Sequence, residues 1–198
     1  MTGRSMNSRD SILRSIRRSL PQSVELPDHQ GDWVQYDDLA AQFASTLEFV
    51  GGECHVVDSV ADIPAMLPPM DSQAVVVSGV PGISGTLSLD SVADPHDLAP
   101  VDLAFFPGQL GVAENAAIWV DSKETRHRVI YFIAQHLVLV LRQQDLVPHL
   151  HAAYERIDPT AATLGCFISG PSKTADIEQS LVKGAHGART LKVFLTRS

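Results

Sequence analysis

Residues 137–141 read Leu-Val-Leu-Val-Leu, an uninterrupted apolar stretch in a chain of 198 residues. A strand with one face in water alternates apolar and polar side chains, whereas a strand that is buried on both faces is apolar throughout. Strand and helix signals alternate on both sides of this stretch. The sequence therefore predicts an α/β fold, in which a largely parallel sheet is flanked by helices.

The same patterns place the other elements along the chain. The remaining predicted strands are 55–57, 74–78, 102–106, 116–120, 165–169 and 191–196. The predicted helices are 8–20, 37–50, 60–67, 148–157 and 174–183. Residues 79–100 are rich in Gly, Pro and Asp, so we expect a long loop between two strands of the sheet.

The N-terminal segment differs from the rest of the chain. Residues 8–20 predict a helix with Ile12, Leu13, Ile16 and Leu20 on one side, and residues 21–32 form a proline-containing linker. We therefore expect two parts, an N-terminal helix and linker at 1–32 and a single α/β domain at 33–198. Because a short isolated helix is poorly stable in water, its apolar side is expected to pack on the domain or on a partner.

Charge and hydropathy exclude several classes of protein. The formal charge is −8, which argues against nucleic-acid binding, since contact with phosphates needs a basic surface. The charge is uneven, because five arginines and one aspartate give residues 1–20 a charge of +4 and leave −12 for the remainder. No apolar stretch approaches the roughly 18 residues of a membrane span. The chain begins without an apolar signal core, so a cytoplasmic protein is expected.

Cysteine usage limits the possible cofactors. Cys54 and Cys166 are isolated in the sequence, which excludes a disulfide framework and a cluster held by about four thiolates. No histidine or cysteine spacing resembles that of a zinc site. We therefore expect no metal and no redox cofactor in this chain.

The segment 168–178 reads Ile-Ser-Gly-Pro-Ser-Lys-Thr-Ala-Asp-Ile-Glu, which predicts a strand, a tight turn and the start of a helix. Free N–H groups at such a turn bind anions, and a lysine adds positive charge beside them. The candidate ligand-binding residues here are Gly170, Pro171, Ser172, Lys173, Thr174 and Asp176. The alternative is that these side chains merely cap the helix.

Two further segments carry candidate catalytic residues. His186 lies between Gly184 and Gly187, where it can hydrogen-bond the last carbonyls of a helix or titrate in a cleft. Glu114 and Asn115 come just before an apolar strand. A carboxylate at this position can be a nucleophile or a base, or can simply form the turn.

The third candidate segment is Arg126-His127-Arg128. Two arginines around a histidine can clamp a small carboxylate or a phosphate, or can form a solvated helix face. Ligands of open α/β sheets gather at the carboxyl ends of the strands. We therefore expect Arg126 and Arg128, Glu114 and residues 170–176 to converge on one cleft at that edge.

Three stretches together carry a family resemblance. They are 113–120 (Ala-Glu-Asn-Ala-Ala-Ile-Trp-Val), 126–137 (Arg-His-Arg-Val-Ile-Tyr-Phe-Ile-Ala-Gln-His-Leu) and 167–189, the long segment that contains the Gly170 turn and His186. They resemble the LUD domain family of lactate-utilisation proteins, in its LutC/YkgG-like group, over about residues 100–198. The chain departs from that family at Ala116 and Ala117, where many members carry a glycine.

The resemblance implies the fold of ribose-5-phosphate isomerase, glucosamine-6-phosphate deaminase and the CoA transferases. It also implies a subunit of a system that oxidises L-lactate to pyruvate, in which partner proteins carry the iron–sulfur centres and this chain has no redox centre. Two alternatives stay open. One is a CoA-transferase-like or small-anion-binding enzyme that uses Glu114, and the other is a regulatory or assembly protein that senses a carboxylate metabolite. Whether the chain is itself catalytic also stays open.

Overall fold

The computed structural model describes residues 8–21, 24–25, 31–123, 125–175 and 181–197. Its helices are α1 (Ser8–Ser19), α2 (Leu39–Phe49), α3 (Ile63–Met66), α4 (Ile130–Ile133) and α5 (Leu150–Arg156). Its strands are β1 (Glu53–Val57), β2 (Val76–Ser78), β3 (Leu103–Pro107), β4 (Leu110–Val112), β5 (Ala117–Asp121), β6 (His136–Arg142), β7 (Leu146–Val147), β8 (Gly165–Ile168), β9 (Lys173–Ala175), β10 (Leu181–Lys183) and β11 (Thr190–Thr196).

The main sheet has five strands in the order β1-β11-β6-β3-β2, and every neighbouring pair is parallel. Strand β6 lies at its centre and contains the Leu-Val-Leu-Val-Leu stretch. Leu139 packs in one apolar cluster with Phe43 of α2. The adjacent Val138 packs on the other face, in a second cluster with Ile63 of α3. Both faces of β6 are therefore buried, and the predicted parallel sheet with flanking helices is confirmed.

Helix α2 lies within the range predicted for it, 37–50, and begins at Leu39. The Asp38 carboxylate accepts hydrogen bonds from the N–H groups of Ala40 and Ala41, each at 2.9 Å, and so caps the helix. Phe43 and Leu47, one helical turn apart, are fully buried against the main sheet and its neighbours. The helix leads directly into β1, and its buried face packs in the largest apolar cluster.

A second sheet, of four strands in the order β7-β4-β5-β8, packs into the same cluster as α2. Here β5 is antiparallel to both β4 and β8. The strands predicted at 116–120 and 165–169 therefore exist, but they belong to a sheet that the sequence does not predict. Trp119 lies opposite Phe167 with ring centroids 5.0 Å apart, and a Cβ on Gly165 would lie 2.3 Å from the Trp119 ring.

The helix predicted at 174–183 is wrong. Residues 173–175 and 181–183 instead form an antiparallel hairpin, with Thr174 opposite Val182. The N–H of Gly184 donates to the carbonyl of Ser172, which closes the hairpin at its base. β-branched residues suit this pairing, and these tertiary contacts override a helical spacing of apolar residues. The predicted anion site needed the start of a helix after Gly170, and residues 173–175 form a strand there instead. Asp176, one of its candidate residues, lies outside the described residues.

Residues 1–32 and 33–198 are two compact units. Within the first unit, α1 carries its arginines around a strip of apolar side chains and buries none of its residues. Ile12, Ile16 and Leu20 are each more than half exposed. Among the helices that the structure describes, none has the length and apolar character needed to cross a membrane.

Candidate functional site

Glu114 and Asn115 form the turn between β4 and β5. One Glu114 carboxylate oxygen accepts a hydrogen bond from the N–H of Leu150 at 2.7 Å, at the start of α5. The Asn115 side-chain oxygen accepts from the N–H of Ala117 at 3.0 Å. Ala116 has a φ of 53°, a left-handed conformation that favours glycine. The Asn115 side chain thus stabilises the turn itself, and the Glu114 carboxylate ties the turn to the start of α5.

The turn at Gly170 lies beside the Glu114 turn. The Ser169 hydroxyl donates to the carbonyl of Asn115 at 2.7 Å, which ties the two turns together. The Lys173 ammonium donates to the carbonyl of Val50, the residue that ends α2. A positive charge at a helix C-terminus is favourable, so this lysine stabilises α2.

The loop that carries His186 completes this cluster of turns. The N–H of Ser172 donates to the carbonyl of Ala188 at 2.9 Å, and a Cβ on Gly187 would lie 3.1 Å from the Ser172 Cβ. His186 itself is exposed. The structure therefore brings together the Glu114–Asn115 turn, residues 170–174 and the loop that carries His186.

This cluster lies at the amino edge of the main sheet, because Val50 precedes β1 and Ala188 precedes β11. The predicted location at the carboxyl ends of the strands is wrong for it. The physical reason is that β8, which leads into Gly170, belongs to the second sheet and runs antiparallel to β5.

The two arginines do not join the cluster. Arg126 follows the far end of β5, and its guanidinium donates through Nη1 to the carbonyl of Asp90 at 2.9 Å. Between the arginines, the His127 ring donates through Nε2 to the carbonyl of Val92 at 2.9 Å. Arg128 is exposed. The expectation of one cleft shared by the arginines and Glu114 is therefore wrong.

A separate cleft does lie at the carboxyl ends of β2 and β3, and Arg126 forms part of its wall. We call it the β2–β3 cleft; its volume is about 310 Å³. Its lining residues are Ser78, Gly79, Gly85, Leu87, Ser88, Leu89, Asp90, Phe106, Pro107, Thr125 and Arg126. Sequence reasoning missed it because it treated residues 79–100 as a surface loop. The available signal was a strand followed by serine and closely spaced glycines.

One wall of this cleft is connected to a buried tyrosine. The Tyr131 hydroxyl donates to the carbonyl of Asp121 at 3.1 Å and lies 3.0 Å from the Thr125 hydroxyl. Burial raises the pKa of Tyr131, so its phenol stays protonated at neutral pH. Thr125 is thereby held in a fixed orientation at the cleft.

The two cysteines lie in different sheets, Cys54 in β1 and Cys166 in β8. Burial raises the pKa of both thiols, that of Cys54 to about 11. In the part of the chain that the structure describes, no group of three or more His, Cys, Asp or Glu side chains is placed to hold a metal ion.

We expect Cys54 to react slowly with iodoacetamide in the folded protein. Only the thiolate attacks, and a pKa of about 11 instead of 9.0 leaves little thiolate at pH 8. Alkylation of the Cys54 peptide, followed by mass spectrometry, should be about tenfold to a hundredfold slower than in the urea-unfolded chain. It should accelerate as the pH rises towards 11. Equal rates in the two states would contradict the raised pKa.

Comparisons with known proteins agree with the resemblance noted in the sequence. "Lactate utilization protein C" of Geobacillus thermodenitrificans is 32% identical over 100 residues, which span 48% of this chain and 41% of that protein. The first such relatives are thus matched over less than half of their own length. "Lactate utilization protein C" of Deinococcus radiodurans is 26% identical over 200 residues, covering 93% of this chain and 92% of that protein.

A solved structure shares the fold. The crystal structure of a DUF162 family protein from Deinococcus radiodurans aligns with a TM-score of 0.60 over 80% of this chain and 96% of that chain, at 16% identity. The family model described as the LUD domain matches residues 95–196. Because this match covers more than half of the 198 residues, the chain belongs to the LUD domain family.

Proposed function

We propose that this chain is a subunit of a lactate-utilisation system that oxidises L-lactate to pyruvate, and that iron–sulfur partner proteins carry the electrons. The observation that carries the proposal is the match to "Lactate utilization protein C" of Deinococcus radiodurans, which extends over 93% of this chain and 92% of that protein. A match of that extent reaches well beyond residues 95–196, which the family model matches, into the N-terminal half of the chain.

The distribution of cysteines supports a division of labour between subunits. An iron–sulfur cluster needs about four closely placed thiolates. This chain contains two cysteines, in different sheets, and burial raises the pKa of both. Electron transfer in the proposed system therefore belongs to the partners, and this chain contributes binding and docking.

Helix α1 is the element that we assign to docking. Its exposed apolar residues, Ile12 and Ile16, are flanked by exposed arginines. Such a helix gains stability when its apolar strip packs on another protein, and its positive charge favours an acidic partner surface.

The proposal predicts co-purification. Affinity-tagged full-length chain, isolated from its own cells grown on L-lactate, should bring down proteins that contain iron and acid-labile sulfide and that reduce a dye with L-lactate. The double variant Ile12→Ser, Ile16→Ser should lose at least tenfold in partner recovery, because the apolar contact of α1 is removed.

The matched control is Ser11→Ala, Ser15→Ala on the same helix, which keeps the apolar strip and should recover the partners normally. Recovery that is unchanged by the isoleucine substitutions would assign docking to another surface. A pull-down with no iron–sulfur protein, together with normal growth on L-lactate when the gene is deleted, would contradict the proposed function.

A further inference from the structure

We propose that the β2–β3 cleft binds a small 2-hydroxy monocarboxylate and that the Thr125 hydroxyl distinguishes it from the corresponding 2-oxo acid. This inference rests on the proposed function, because lactate and pyruvate are such a pair. It places the ligand away from Glu114, Gly170 and His186, the residues that the sequence indicates as candidate site residues.

The location of the cleft suits a ligand. It lies at the carboxyl ends of two neighbouring parallel strands, where open α/β sheets commonly bind small molecules. Its walls depend on two glycines of the loop after β2. A Cβ on Gly85 would lie 2.7 Å from the Val76 carbonyl oxygen, and one on Gly79 would lie 2.9 Å from the Phe106 ring. Side chains at these positions would push the loop off the sheet and deform the cleft.

Arg126 provides the anion contact. Its bond to the Asp90 carbonyl, at 2.9 Å, uses one N–H of Nη1 and fixes the guanidinium against the cleft wall. The Nε–Nη2 edge takes no part in this bond. That edge presents two parallel N–H groups, which match the two oxygens of a carboxylate.

The hydrogen bonds of Tyr131 determine whether the Thr125 hydroxyl can donate a hydrogen bond to a ligand or only accept one. A phenol has a single proton, and that of Tyr131 is donated to the carbonyl of Asp121. In the 3.0 Å contact between the two hydroxyls, Thr125 must therefore be the donor and Tyr131 the acceptor. Thr125 has then used its only proton, so its oxygen can only accept from a ligand.

An oxygen that only accepts can tell the two acids apart. The hydroxyl of a 2-hydroxy acid donates a hydrogen bond to Thr125 while its carboxylate is held by Arg126. A 2-oxo acid offers a carbonyl oxygen at the same place, which repels the lone pairs of Thr125. A site built around a substrate hydroxyl rejects the analogue that lacks it.

Asp90 restricts the charge of the ligand. Asp90 is exposed and lines the same cleft. A monocarboxylate can place its charge on Arg126 and turn its uncharged end elsewhere, whereas a dicarboxylate brings a second negative charge towards Asp90. The cleft therefore favours monocarboxylates.

The test is calorimetric titration of the purified full chain with sodium L-lactate, D-lactate, pyruvate and malate. We expect lactate, in at least one enantiomer, to bind about fivefold to tenfold more tightly than pyruvate, and malate to bind weakly. Arg126→Gln should weaken lactate and pyruvate alike by about tenfold or more, because the charged hydrogen bonds are lost. Asp90→Asn should tighten malate more than lactate.

Two variants address selectivity. Thr125→Val keeps the side-chain shape and should lower lactate affinity to that of pyruvate. Tyr131→Phe does not touch the ligand, but it frees the Thr125 proton, which can then be donated to a carbonyl. Pyruvate should therefore gain affinity relative to lactate in this variant. A purely structural role for Tyr131 would weaken both ligands equally. Arg189→Gln, which removes one exposed charge just before β11 at the amino edge of the main sheet, is the control and should leave both affinities unchanged.

Thermal melting monitored by circular dichroism checks that each variant is folded. If Tyr131→Phe, at a buried position, unfolds the protein, Arg126→Gln at an exposed position still tests the inference. Lactate and pyruvate that bind equally well, or binding that is insensitive to Arg126→Gln, would overturn the inference. No binding by a chain that still recovers iron–sulfur partners would overturn this site and leave the proposed function intact. Selective binding by a chain that recovers no partners would support this site and contradict the proposed function.

Discussion

Replacing Phe43 by alanine is expected to lower the free energy of unfolding by about 3–5 kcal/mol. The Phe43 side chain is fully buried in the cluster that α2 shares with both sheets. Its ring would lie 3.4 Å from a Cβ on Gly111 of β4, which shows how closely the helix approaches the second sheet. Truncation would open a cavity where three elements meet. Urea titration followed by circular dichroism measures the loss.

Phe49→Ala on the same helix is the matched control. Phe49 is 88% exposed, so its removal should change stability by no more than about 0.5 kcal/mol. A comparable loss from both substitutions would mean that the effect comes from helix propensity. In that case Phe43 would not be the residue that holds the two sheets together.

Gly170→Ala is expected to destabilise the protein by about 2–4 kcal/mol. Gly170 has a φ of +73°, which an alanine adopts only with strain, and the added Cβ would lie 2.8 Å from the Val50 carbonyl oxygen. The turn would have to move away from the end of α2, where Lys173 also binds. Thermal and urea unfolding of the purified variant measure the cost.

Gly82→Ala separates the cost of backbone strain from the cost of the steric contact with Val50. Gly82 has a φ of +89°, but the nearest atom to an added Cβ is a Val60 methyl carbon at 3.8 Å. It should therefore show the backbone strain alone, about 1–2 kcal/mol. Equal losses in the two variants would show that the contact with Val50 relaxes at no cost.

The core of the fold is predictable because buried positions appear as a pattern of apolar residues within a single helix or strand. Leu139 and Val138 face opposite sides of β6, and both sides are apolar in the sequence because both are covered. Phe43 and Leu47 mark the buried side of α2 by their helical spacing alone. In each case the pattern depends only on neighbours along the same element.

The pairing of β9 with β10 and the second sheet were not predictable in this way. Thr174 of β9 lies opposite Val182 of β10, although the sequence from 174 to 183 also fits a helix. What decides between the two is a contact with distant residues, such as the bond from Ser172 to Ala188. Strand β4 has three residues, too few for any periodicity to register.

The candidate sites show the same limit. The sequence singled out Glu114 and the Gly170 turn correctly as neighbours, but it placed them at the wrong edge of the sheet. Arg126 was identified as a possible anion ligand, yet most of the other residues that line its cleft lie between 36 and 48 positions earlier in the chain. The serine and closely spaced glycines after β2 are a local signal for part of this cleft, but no spacing along the sequence shows that Arg126 joins them.

Strand β11 has a consequence for how the protein is made. It lies between β1 and β6, and Lys192 pairs with Val138 on one side while Glu53 lies opposite it on the other. During synthesis β1 leaves the ribosome early, but it has no neighbour in the main sheet until residues 190–196 have also emerged. Pairing between such distant segments is slow, and unpaired strand edges invite association in the meantime. The main sheet must therefore close after translation of β11, when the last strand of the sheet to be made joins the first, β1, to the block formed by β6, β3 and β2.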